Sequence, residues 1–160
     1  MADLKLTVQE QLILNGLQQG GSYTTTISNI NDVYKRVVTL PATSSATLAS
    51  FKSTVATGSI SAMDLNDVKY IRITNLSATD TPLTAVNLGI QVESGNDDSS
   101  ADKQATVKLE AKRSFMIGST TSSIDVDDGS GGVFSSLSNI ESIIAKSSGS
   151  VQLEVFIAST

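Results

Sequence analysis

Residues 67–76, DVKYIRITNL, leave this chain few choices of fold. Val68, Tyr70 and the aliphatic stem of Arg72 alternate with Lys69, Ile71 and Ile73, so an extended backbone puts bulky groups on both faces. β-Branched and aromatic residues dominate the stretch, and Asn75 follows as a turn former. A strand that is apolar on both sides belongs inside a sheet with cover above and below. The neighbouring segments read as shorter strands that pair with it or pack against it.

Residues 4–14 open with alternation, Leu4, Leu6 and Val8 against Lys5, Thr7 and Gln9. Gln11, Leu12, Ile13 and Leu14 continue the segment to the turn pair Asn15-Gly16. Leu6, Glu10, Ile13 and Leu17 nearly fit helical spacing, but the close punctuation by Asn15-Gly16 and Gly20-Gly21 favours a strand. Residues 23–30 and 33–40 read as the next two strands, the second stopped by Pro41. Residues 41–62 stay open, because Leu48, Phe51 and Val55 fit a helical face while Thr47, Ala49 and Phe51 fit a strand face.

Residues 83–93 alternate with Val86, Leu88, Ile90 and Val92 on one face. Residues 106–110 and 114–117 read as short strands, and Ile124 with Val126 as a brief pairing. Leu137, Ile140, Ile143 and Ile144 allow a helical turn that becomes strand toward Lys146. The end reads as a hairpin: residues 143–146, a Ser147-Ser148-Gly149-Ser150 turn, then VQLEVFIA. In that last strand Val151, Leu153, Val155 and Ile157 face one way, Gln152 and Glu154 the other.

Eight to ten short strands with turns between them predict an all-β fold, an antiparallel β-sandwich of jelly-roll type. One domain over residues 1–160 is expected, with residues 1–20 as an oligomerisation arm. Leu4, Leu6, Val8, Leu12 and Leu14 are then the interface candidates, since an apolar edge strand calls for a neighbouring subunit.

Chemistry is harder to find. The formal charge of −5 and pI near 4.5 disfavour contact with nucleic acid. There are no cysteines and no histidines, which removes disulfides and the usual ligands of zinc, haem and iron–sulfur groups. The opening MADLKLTVQE lacks the basic start and apolar run of a signal peptide, and no segment approaches the ~20 apolar residues of a membrane span. The expectation is a soluble protein made in the cytoplasm, with no membrane partner and no cofactor.

Asp125-Val126-Asp127-Asp128-Gly129 and the acidic residues Asp97, Asp98 and Asp102 invite a calcium reading. The first departs from the EF-hand template, because Gly129 falls one place early and Ser136 stands where the bidentate glutamate belongs. Solvated loop charges explain both, so no metal site is expected. Lys52-Ser53 and Lys146-Ser147 are chance neighbours in a chain that is about a quarter Ser and Thr, so no catalytic nucleophile is expected either. Lys35-Arg36 and Lys112-Arg113 send adjacent side chains to opposite faces of a strand, which suits ion pairing better than a basic patch.

The combination of TISNINDVYKRVVTLP, DLNDVKYIRITNL and the terminal VQLEVFIAST resembles small virion structural proteins of marine bacteriophages, cyanophage and pelagiphage types among them. The similarity spans most of the chain and rests on strand cores, so it transfers no site residues. It implies a capsid decoration or cement protein on the outside of the head, a homo-oligomer with a trimer favoured, whose partner is the major capsid protein. A neck or tail component (stopper, tail tube or fibre-attachment subunit) is the runner-up within the virion. A host-glycan-binding module is the alternative from another class, and four Phe, three Tyr and no Trp count against it. An enzyme ranks last.

Overall fold

The computed structural model describes residues 1–52, 62–64, 66–92, 103–120, 124–127 and 137–160. Fourteen strands lie among them. In chain order they are β1 (Ala2–Gln9), β2 (Ile13–Leu14), β3 (Leu17–Gln18), β4 (Ser22–Ile30), β5 (Asp32–Leu40), β6 (Ser45–Lys52) and β7 (Ala62–Asp64). There follow β8 (Val68–Asn75), β9 (Val86–Val92), β10 (Lys103–Leu109), β11 (Ser114–Gly118), β12 (Asp125–Asp127), β13 (Leu137–Ser147) and β14 (Val151–Ser159).

Two sheets form the body. One runs β11-β8-β14-β5; the other runs β10-β9-β13-β6-β7, with β12 added on β13. All pairs are antiparallel except β6 with β7. Between them lies one apolar core: Leu40, Ile71, Ile73, Leu153, Val155 and Ile157 from the first sheet meet Leu48, Phe51, Val86, Leu88, Ile143 and Ala145 from the second. The antiparallel β-sandwich expected from the sequence is observed. Residues 67–76 supply β8, an interior strand as anticipated.

Three β-bulges in the two sheets of the body shift the alternation of faces. In β8, Ala158 pairs with Tyr70 but Ser159 with Val68, so Lys69 is the extra residue. Val68 therefore joins Ile71 and Ile73 in the core, whereas simple alternation had grouped it with Tyr70 and Arg72. In β6 the extra residue is Leu48, between Thr47 and Ala49. In β13 it is Glu141, between Ile140 and Ser142. Each bulge puts two residues three apart on the same face, as a helix does. That is why the segment around Leu48 and Phe51 fitted a helical face, and why Ile140 and Ile143 did. Both segments are strands.

The expected terminal hairpin is corrected as well. β13 and β14 are consecutive but sit in opposite sheets, so residues 148–150 arch across the sandwich. Each strand sends its apolar face to the same core, a pattern that hairpin and arch share. The arch is held at Ser147, whose buried hydroxyl lies 3.1 Å from Leu83 O and 2.9 Å from Ala85 O. The Thr43 N–H donates to Ser147 O at 2.9 Å.

The first thirty residues form one long hairpin outside both sheets. Among the described residues β1 pairs only with β4, in the register Leu4–Ile27, Leu6–Thr25 and Val8–Tyr23. The same register continues outward: the Glu10 N–H donates to Gly21 O at 2.7 Å, the Gln19 N–H to Leu12 O at 2.7 Å, and Leu14 pairs with Leu17. Asn15 (φ 52°) and Gly16 (φ 78°) close it, both in the left-handed region that a two-residue hairpin turn of matching twist requires. At the other end Ser28 and Asn29 stand against a single residue of β1, with Asn29 at φ 66°. That bulge bends the hairpin where it leaves the body, and one residue, Asn31, then joins it to β5.

Candidate functional site

The pairing register decides which side chains of the hairpin share a face. Leu4, Leu6 and Val8 of β1 lie beside Ile27, Thr25 and Tyr23 of β4, giving one apolar side; Lys5, Thr7, Thr24 and Thr26 occupy the other. At the base the apolar side packs on the outer face of the four-stranded sheet. Leu4, Leu6, Ile27 and Ile30 cluster there with Tyr70, Phe156 and Ala158. The Tyr70 and Phe156 rings meet edge to face, centroids 6.0 Å apart at 66°. Arg72 places its guanidinium 5.4 Å from the Phe156 ring centre and pairs with Glu154, which Lys35 also reaches at 3.4 Å. Burial pushes the Tyr70 phenol above its ordinary value, and the nearby Arg72 charge offsets part of that rise.

Farther out the apolar side has no cover among the described residues. Val8 is 48% exposed, Leu12 54%, Leu14 57%, Leu17 66% and Tyr23 69%. Ile13 is 66% exposed and stands on the opposite side, because it pairs with Gln18 while Leu14 pairs with Leu17. The tip is thus apolar on both faces. At about 3.3 Å per residue, the leg from Gln9 to the turn carries this tip roughly 20 Å beyond the β1–β4 ladder.

Where the hairpin departs from the sheet it leaves a groove of about 750 Å³. Leu6, Val8 and Tyr23 form one wall, and Tyr70, Met116 and Ile117 of β8 and β11 the other. Among the described residues its lining includes Lys5 and Arg72 and no carboxylate. A second concavity of about 630 Å³, by the Ser147 arch, is rimmed by Asp80, Lys108, Glu110 and Lys146, with Lys108 and Glu110 paired at 3.0 Å.

Of the five interface candidates read from the sequence, Leu4 and Leu6 are half-buried at the base of the arm, while Val8, Leu12 and Leu14 are exposed along it. Sequence reasoning missed Leu17 and Tyr23 on the returning leg. The Asn15-Gly16 pair was the signal that could have found them, since a tight turn there folds residues 17–27 back alongside residues 4–14. Lys35 and Arg36 behave as expected of a strand doublet: one pairs with Glu154, and the other lies over the Tyr34 ring at 5.4 Å.

Asp97, Asp98, Asp102 and Asp128-Gly129 lie outside the described residues, and Asp125 and Asp127 fall in β12. Among the described residues no group of three or more Asp or Glu stands together as metal ligands would. No helix among the described residues is long and apolar enough to cross a membrane. No family model, curated protein or solved structure matches the chain.

Proposed function

We propose that this chain is a non-enzymatic structural subunit of a bacteriophage virion, a decoration or cement protein on the outer surface of the capsid. The observation that carries the proposal is the arm: a hairpin whose apolar side continues beyond the body that covers its base, as in a subunit built to assemble with others. The strand-core resemblance to phage structural proteins points the same way. A net charge of −5 suits a place on the outside of the head, away from packaged DNA.

In this reading the sandwich is a rigid block and its mechanism is bridging. Contact made across neighbouring copies of the major capsid protein stabilises the assembled shell by mass action, and many weak contacts add through multivalency. The homo-oligomer presents several such blocks at once.

Copy number per virion tests it, measured by quantitative mass spectrometry against the major capsid protein. A count comparable to the shell protein is the expected result. A count sufficient for one ring or a few fibres would place the chain at the neck or tail and end the bridging mechanism.

A further inference from the structure

We propose that the arm tip of one copy, residues 12–17, seats in the arm–sheet groove of a second copy, so that each copy donates one arm and accepts one in a closed oligomer. The inference rests on reading the chain as a self-assembling structural subunit, not on where in a virion the assembly sits.

Tip and groove match in three respects. First, the tip is apolar on both faces, with Leu14 and Leu17 on one and Ile13 on the other. Only an enclosing site satisfies such a ridge, and the groove has two apolar walls. A copy cannot fill its own groove, because the arm's own Leu6 and Val8 form one wall and the unbroken register carries the tip outward. Second, the charges do not oppose the fit. The tip, residues 12–17, carries no charged side chain, and Arg72 at the groove is already paired with Glu154, so seating the tip strands no ion. Third, the areas favour mutual exchange. The four apolar side chains of the tip, Leu12, Ile13, Leu14 and Leu17, are exposed by about half to two-thirds and offer roughly 300–400 Å², well short of the ~800 Å² per partner of a stable interface. An exchange in which every copy both gives and receives an arm doubles the area buried per chain and needs no outside surface.

Light scattering on the full chain at tens of micromolar should show a closed oligomer. Leu14→Asp/Leu17→Asp and, separately, Met116→Glu should each leave folded monomers with the wild-type circular dichroism. Mixing the two variants should restore a single arm contact, too small for a stable pair, so the mixture should show at most a weak 1:1 dimer and none of the wild-type oligomer. As a check independent of charged substitutions, a Leu14→Cys/Met116→Cys chain, which carries no other thiol, should give disulfide-linked oligomers on oxidation. A monomeric wild type, an oligomer that survives both variants, or oxidation that links no chains would each overturn the proposal. Loss of capsid attachment by the arm variant of a monomeric wild type would give the arm a different partner, and overturn it too. The wild-type copy number per virion is measured independently of these outcomes, so the two readings fail separately.

Discussion

Asn75 is fully buried, yet every polar group it has is used. Its Nδ2 donates to Thr84 O at 2.7 Å and Leu109 O at 3.2 Å, and its Oδ1 accepts the Ser77 N–H at 3.1 Å. Its backbone N–H donates to Arg113 O, and its carbonyl accepts the Lys112 N–H. One residue thereby pins the chain leaving β8, the approach to β9 and the turn from β10 to β11. Asn75→Ala leaves two carbonyls without this donor and should cost about 2–4 kcal/mol in urea unfolding. Asn75→Asp is nearly the same shape but sets a carboxylate against both carbonyls, so at neutral pH it should be the less stable of the two. A loss below 0.5 kcal/mol for both would show that the side chain holds nothing. Tyr70 gives a pH-dependent counterpart. Its phenol is held above the ordinary value of about 10, chiefly by burial, so the folded state resists the ionisation that the unfolded chain undergoes. That stability is fully present below pH ~10 and is lost as the pH rises through the folded value. Alkaline melts of Tyr70→Phe should fall less steeply than those of the wild type.

At the scale of strands, the sequence was most readable where pairing is regular. The alternation in residues 33–40, 83–93 and 151–158 placed β5, β9 and β14, with Val86, Leu88, Val155 and Ile157 inward as expected. It misled at Leu48 and Glu141, where a bulge spaces inward residues three apart and imitates a helical period. It was silent on whether β13 and β14 share a sheet, because a core strand shows the same alternation in a hairpin and in an arch. The arch depends on close approach: a Cβ on Gly149 would lie 2.5 Å from Leu83 O. Gly149→Ala should therefore lower stability by about 1–3 kcal/mol, whereas a loose surface turn would accept the methyl group at no cost. Val155, fully buried in β14, tests the strand itself. Val155→Asp buries an unpaired carboxylate and should give insoluble protein; soluble, folded protein would contradict this packing.

Over the whole molecule, stability is unevenly shared. The sandwich buries apolar side chains between two sheets, while the arm beyond Gln9 and Ser22 is a two-stranded ribbon, a structure only marginally stable alone in water. The candidate site was half legible for the same reason. The apolar residues of the first leg stand out in the sequence, but the groove is made by long-range packing of the arm's base against β8 and β14, which no local pattern encodes. Amide hydrogen exchange should read this gradient directly. Amides of Ile73 and Val155, in interior strands, should exchange only through global unfolding. The Gln19 amide, bonded to Leu12 O near the tip, should exchange far faster in the Leu14→Asp/Leu17→Asp monomer. In the wild type its protection should rise with protein concentration, because seating the tip in a second copy removes the ribbon from water and opening then requires dissociation. Protection at Gln19 that equals that of Val155 at every concentration would mean the arm is held within its own chain. Protection that stays low throughout would mean that nothing covers it.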